Sequence, residues 1–492
     1  MTTGSVGEGM AEQDVKGTSG RLAGSRLGTF QIVFFVIAAA SPLTVVLSTG
    51  PFSLRFGGIG APGAMLATGC VLMLFACGFT AMSKYVRDAG AFYAYVGKGL
   101  GPRPGAGTAF MTMAAYGLCV IGFIGYLGVF ADQSVADIFN LDLPWQVWSL
   151  LFAGIVGVVG YGQVDVGAKV LGVLMALEVG VIVVLLVAVL LQGGPERPSA
   201  APMSFDNVFL ADGSGTLFLL AFGAFIGFEG TAIYSEEAKN PERSIPRATY
   251  LAVGFLALFY TLSFWVVVYG YGVDNALAAA QGDDFLNMVF AQADQYVGGG
   301  LVTALRILIV TSFLATVIAF HNACTRYMFS LGRDGMLPRA FGRTHPRMSS
   351  PHIASLVLTG ITYFVVIAAM IAGLDPYLEL GTWLYASGVL GVVAAQAMCA
   401  LSVVAFFLRD RRGHSTLRVL VAPALGFVGL AAALYLMISN FSYLSGYTDT
   451  LPNAIMIGVT PLCFLVGAVL VRTGRSRWRD TAETPERPSS AD

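Results

Sequence analysis

A chain of 492 residues that is 56% hydrophobic and only 12% charged, with a mean hydropathy of +0.73, is far from soluble composition, where charged residues make up about a quarter. This is the composition of an integral membrane protein, and a net charge of -1 with pI near 6.4 provides no basic surface for nucleic acid. The six cysteines (Cys70, Cys77, Cys119, Cys324, Cys399 and Cys463) lie in or beside apolar runs without a Cys-x-x-Cys pair, which predicts small core residues and not a disulfide or zinc framework.

The first 28 residues are rich in Gly, Ser, Thr and charge, and predict a disordered cytoplasmic tail. A membrane span needs about 20 mostly apolar residues. On that rule the apolar body, 29–472, holds about twelve spans: 29–49, 60–83, 106–131, 145–161, 167–191, 215–235, 247–271, 300–325, 353–373, 378–408, 417–438 and 454–472. The fourth is short, and the tenth is long enough to tilt or bend. The polar stretch 473–492 predicts a second disordered tail.

Lys84, Lys98, Arg103, Lys239, Arg243, Arg326, Arg333 and Arg409 fall on alternate loops, whereas the loops between them carry only Arg55 and Arg197. The positive-inside rule therefore places both termini in the cytoplasm, on a multi-pass protein of the plasma membrane. The segment 87–98 mixes aromatic and basic residues at helical spacing and predicts a short interfacial helix. Within 272–299, the run Phe285-Leu-Asn-Met-Val-Phe290 predicts a small helix capping the outer end of the bundle.

Two spans contain their own interruption. Span one reads Ala40-Ser41-Pro42-Leu43-Thr44, where Pro42 lacks an N–H and clashes with the preceding turn. Span six reads Phe222-Gly-Ala-Phe-Ile-Gly-Phe-Glu229. Each mid-helix glycine there, Gly223, Gly227 or Gly230, costs about 1 kcal/mol relative to alanine. Glu229 puts a carboxyl where insertion costs roughly 2.5 to 3.5 kcal/mol. Broken backbone inside a membrane is tolerated where it lines a cavity. Interrupted spans in corresponding positions of two inverted halves point to a transporter's binding site, with Ala40, Ser41, Pro42, Leu43 and Thr44 on one side and Phe222, Gly223, Phe225 and Gly227 on the other.

Phe225-Ile-Gly-Phe-Glu229 is followed by Glu236-Glu-Ala-Lys-Asn-Pro-Glu-Arg-Ser-Ile-Pro246; Gly90-Ala-Phe-Tyr-Ala-Tyr95 with Gly101-Pro102 follows span two; Arg326-Tyr-Met-Phe-Ser-Leu-Gly-Arg-Asp-Gly-Met-Leu-Pro338 follows span eight. In these residues the chain resembles the amino acid–polyamine–organocation (APC) superfamily of secondary transporters. The resemblance implies an all-α, leucine-transporter-type fold: two inverted five-helix repeats, 29–191 and 215–408, with helices one and six broken, and helices eleven and twelve, 417–472, outside them. The sequence departs from the family at two places. The Gly-Ser-Gly-Ile-Phe-like break of many relatives, whose amides hold an amino acid carboxylate, is replaced here by Ala39-Ala-Ser-Pro-Leu-Thr44. Gly223 stands where some relatives place a large aromatic gate, leaving Phe222 or Phe225 for that role.

Glu229 has two readings, an ion-coupling or gating carboxylate and a structural one bonded to nearby backbone. Glu178, in mid-span five, falls where several proton-coupled relatives carry a lysine; it either carries a proton, helps to hold a cation, or pairs with a backbone or hydroxyl partner. Thr311, Ser312 and Thr316 place hydroxyls at a depth where sodium-coupled relatives by fold have oxygen ligands, although such hydroxyls more often bond their own helix. Tyr116 and Tyr385 are candidate cavity residues, Arg306 and Lys169 are expected to snorkel, and His321 lacks a second ligand for a metal.

No phosphate loop, metalloprotease or hydrolase motif is present, so neither an enzyme nor a cofactor is expected. The sequence reads as a secondary active transporter for amino acids, taken up with protons (or sodium) by alternating access. The alternative is a polyamine or other organic-amine transporter or exchanger, and a facilitator or channel ranks below both. Oligomeric state is left open.

Overall fold

The computed structural model describes residues 28–86, 91–162, 168–233, 238–348, 350–447 and 449–471. The predicted tails up to residue 27 and from 472 onward lie outside the described residues, as do Arg87 to Gly90, the motif's Glu236 and Glu237, and the side chain of Lys169. Among the described residues the regular elements are helical, and eleven helices are long and apolar enough to cross a membrane. This agrees with an all-α bundle of about twelve spans, because the remaining one is divided into shorter helices.

The first span consists of α1 (Thr29–Ala40), a short α2 (Pro42–Thr44), a π-helical turn (Val45–Thr49) and α3 (Gly50–Gly57). Then come α4 (Ala61–Met82), α5 (Ala91–Leu100), α6 (Pro102–Phe139), α7 (Trp145–Gly162) and α8 (Ala168–Gln192). The interrupted sixth span is α9 (Ser214–Ala224) and α10 (Gly230–Ile233). After it follow α11 (Pro241–Tyr271), α12 (Val273–Gln281), α13 (Met288–Tyr296), α14 (Gly299–Arg333), α15 (His352–Ala372), α16 (Thr382–Arg409), α17 (Ala422–Ser439), α18 (Phe441–Ser445) and α19 (Thr450–Leu470).

Two helices outrun their predicted spans by the most. α6 has 38 residues and α14 has 35, where the apolar runs cover 106–131 and 300–325. At 1.5 Å per residue either exceeds the hydrocarbon thickness of about 30 Å. Polar residues such as Asp132, Gln133 and Asp137 end the apolar run of α6 without ending the helix, which stops at Asn140 in the left-handed conformation.

α6 runs through the bundle against α14, α16 and α19, while α1 packs on α8 and α11. Large apolar side chains such as Leu191 (82% exposed) and Ile371 (83%) cover the outside, as expected where lipid is the solvent.

The structure adds to one expectation and corrects another. α5, expected at the membrane surface, buries Phe92, Tyr93, Tyr95 and Val96 against α6 and α16, with Ser402 Oγ donating to the Tyr95 carbonyl at 2.5 Å. Its aromatic spacing is a core face. Arg306 does not snorkel: it is buried, pairs with Asp137 at 2.7 Å, donates to Asn287 at 2.6 Å and lies 3.9 Å from the centroid of the Phe290 ring. The capping segment 272–299 does contain short helices, α12, a 3₁₀ turn (Phe285–Asn287) and α13.

Candidate functional site

Span one is interrupted at Ser41, whose backbone adopts φ 44 and ψ 72 in the left-handed region, and Pro42 starts the next helical turn. Proline at a first helical position has its φ already set, and its missing N–H leaves no orphan donor. The carbonyls freed by the break are met locally. Ser41 N donates to the Ala38 carbonyl at 3.2 Å, with Ser41 Oγ 3.1 Å from the same oxygen, and the Tyr260 hydroxyl donates to the Ala40 carbonyl at 3.1 Å.

Span six stops at Ala224 and continues as a run of i→i+3 bonds, with Gly227 at φ 115, where a side chain would be strained. A Cβ added to Gly227 would lie 3.4 Å from the Cβ of Ala39, so the two breaks face each other.

The acids and hydroxyls singled out in the sequence gather at these breaks in two groups. Glu178 on α8 accepts from Ser312 Oγ at 2.9 Å and interacts with the Leu43 amide, while Thr44 Oγ1 donates to Ser312 Oγ at 3.0 Å. Ser41 Oγ bonds Thr316 Oγ1, which donates to the Ser312 carbonyl at 2.9 Å. Glu229 accepts from the Tyr116 hydroxyl and from the Gly227 amide at 3.0 Å. Both carboxylates are buried, and among the described residues neither has a cationic partner. Thr311 bonds the carbonyl of Leu308 in its own helix. His321 bonds Ser355 at 3.0 Å, and among the described residues no group of three His, Cys, Asp or Glu side chains could hold a metal.

A cavity of about 10 Å³ opens between spans one, three, six, eight and ten. Thr44, Ser48 and Thr49 form its polar side, and Phe52, Phe123, Tyr126, Phe313, Tyr377 and Tyr385 supply the rings. That volume holds about one water, so any solute must move the rings apart. Of the expected lining residues Thr44 borders this space. Ala40, Ser41, Pro42, Leu43 and Gly227 form the breaks beside it; Phe225 packs edge-on to Tyr260, and Phe222 and Tyr116 are buried. Gly223 is covered by Tyr385, whose Oη lies 2.1 Å from where a Cβ would stand. Tyr385 was legible as a candidate. Phe123 and Tyr126 share one face of span three at i, i+3 spacing, whereas nothing in the sequence distinguishes Tyr377 or Phe52 from other aromatics.

The amino acid permease family profile matches residues 31–483, most of the chain. The chain belongs to the amino acid permease family. The permease is 25% identical over 440 residues to a branched-chain amino acid permease of Bacillus subtilis (strain 168), covering 83% of this chain and 86% of that one. It is 24% identical over 400 residues to a low-affinity putrescine importer of Escherichia coli (strain K12), covering 78% and 81%. To the cationic amino acid transporter 4 of Homo sapiens it is 27% identical over 281 residues, which covers 53% of this chain and 41% of the relative. The permease is thus an APC superfamily secondary transporter of small polar solutes, embedded as a multi-pass membrane protein, and not an enzyme.

Proposed function

We propose that the permease takes up a small amine-bearing solute by alternating access, with the solute held between the breaks of spans one and six and the proton carried by Glu229. The observation that carries this reading is the meeting of the two breaks, each with a buried carboxylate beside it. In this reading the chain is two inverted five-helix repeats, 29–191 and 215–408, with 417–472 outside them, and both termini face the cytoplasm. The distribution of Lys and Arg supports that orientation.

Glu229 links α6 to the break through Tyr116 and Gly227, so its charge state bears on how these elements move against each other. Burying a lone carboxylate is costly unless it is paired or neutralised. A proton neutralises it and makes it a weaker acceptor, because bonds to charged acceptors are roughly twice as strong as neutral ones. The break is then released from α6. Glu178, bonded through Ser312 to the hydroxyls of span one, supplies the negative charge that the cationic end of the solute faces.

Relatives that carry amino acids and putrescine support an amine-bearing solute, but the names alone do not separate the two classes. Proteoliposomes made with purified permease test the coupling. A mixed pool of amino acids and amines is offered with and without an inward proton gradient. Accumulation is expected only with the gradient, and Glu229→Gln is expected to lose that dependence while still exchanging preloaded solute. An unchanged response to the gradient in Glu229→Gln would remove the proton from this residue.

A further inference from the structure

We infer that the aromatic cavity selects an organic amine cation with an apolar body and no carboxylate, and that Glu178 sets this preference; the inference rests on the cavity beside the breaks being the substrate site. The rings come first. Tyr126 and Tyr377 have centroids 4.4 Å apart, Phe123 and Tyr385 5.1 Å, and Tyr126 and Phe313 6.2 Å, so they form one continuous wall. A cation within about 6 Å of a ring face is attracted by the ring quadrupole, and cages of such rings suit substituted ammonium groups. The faces of the same rings carry the negative side of the quadrupole and offer a carboxylate no such attraction.

The polar side of the cavity has a direction. Thr44 Oγ1 spends its proton on Ser312, and Ser312 spends its own on Glu178. Both protons point away from the cavity and toward the acid. Thr44 therefore presents only lone pairs to a solute, which accept from an ammonium and offer no donor to a carboxylate. Ser48 and Tyr377 are bonded to each other at 2.8 Å. Among the described residues no Lys, Arg or His lines the cavity, so the donors left to a solute, such as the Thr49 and Tyr385 hydroxyls, are uncharged.

Glu178 completes the argument as a charge. It stands two hydrogen bonds from the cavity without a cationic partner among the described residues. A substrate carboxylate would bring a second negative charge into the same interior, where like charges repel far more strongly than in water. An amine brings the missing positive charge. Glu178 is a specificity-determining residue that acts through Ser312 and Thr44.

The test compares solutes that share a body and differ in one carboxylate: 2-phenylethylamine with phenylalanine, and 3-methylbutylamine with leucine. Binding to purified permease is measured calorimetrically, and proton-driven uptake of the wider pool is measured in parallel. Each amine is expected to bind about tenfold or more tightly than its amino acid, the order of preference a nearby uncompensated charge imposes. Glu178→Gln keeps a partner for Ser312 and is expected to shrink the preference to about threefold or less. Thr44→Val is expected to weaken the amine and leave the amino acid unchanged.

Equal or tighter binding of the amino acids, or an amine preference that survives Glu178→Gln, overturns the inference. If neither pair binds while other solutes accumulate on the proton gradient, the specificity is wrong and the transport reading stands. If nothing binds and nothing accumulates, both fail.

Discussion

Gly223 is small because of a residue from another span. A methyl group there would stand 2.1 Å from Oη and 2.8 Å from Cζ of Tyr385, so the space a larger side chain at this position would fill is taken by a ring from span ten. Gly223→Ala is expected to push this ring from its place at a cost of about 1 to 3 kcal/mol, the range for an extra methyl in a filled interior. Thermal unfolding in detergent would show it as a lowered midpoint. Tyr385→Phe removes the nearest clashing atom, so the double variant is expected to recover part of the loss. Strictly additive losses would mean that the two groups do not meet. Acids and a proline inside apolar runs are conspicuous, which is why Glu178, Glu229 and Pro42 were legible in the sequence. The cavity rings were less so, because 34 Phe and 19 Tyr are spread over the chain and only their placement by distant spans makes a wall.

Among the elements, the apolar-run rule located the spans but not the full helices, since it reports contact with lipid and not helical hydrogen bonding. α6 and α14 therefore extend beyond their runs, and span six stays a single run in the sequence although its backbone is divided at Gly227. Connections between spans carry their own chemistry, as the one joining α16 to α17 shows. His414 Nε2 lies 3.1 Å from the Tyr85 hydroxyl. Burial first, then the positive charges of Arg418 and Lys84, hold its imidazole below the ordinary histidine pKa. A base whose folded pKa is lowered is bound neutral. Its contribution is present above the unfolded value of about 6.5 and is lost as pH falls through the lowered folded value. Hydrogen exchange across 410–417 is expected to speed up as pH is lowered through that window, after correction for intrinsic rates, and His414→Gln is expected to abolish the step. An identical pH response in the variant would assign the change elsewhere.

For the whole molecule, the segment 273–296 is what closes the end of the bundle above the aromatic cavity, and two arginines fix it. Arg55 donates to the carbonyls of Gly282 and Ala280 at 2.7 and 3.2 Å and lies 4.6 Å from the Phe285 ring centroid. Arg306 joins α14 to Asp137 on α6 and to Asn287 in the segment. Phe285 reaches the cavity roof, 6.3 Å from Phe52 and 6.0 Å from Tyr377 between centroids. In the proposed alternating-access cycle, opening at this end would require Phe285 to lift, and Arg306 would resist that movement. The pair is asymmetric, since the side chain of Arg306 is 6% exposed and that of Asp137 53%. Arg306→Met fills the buried volume and returns Asp137 to solvent, so the loss is one charged hydrogen bond to Asn287 and a screened ion pair, about 1 to 3 kcal/mol together. Asp137→Asn leaves Arg306 buried with its Asn287 bond and the Phe290 ring still in place, but removes its ion-pair partner and leaves the charge of Asp284 to oppose it, and is expected to cost at least as much. Hydrogen exchange separates this from general loosening. Faster exchange confined to 285–296 in Arg306→Met, with α6 and α14 unchanged, is the expected pattern. Uniform acceleration over the bundle would make Arg306 a core residue and not the fastening of a lid.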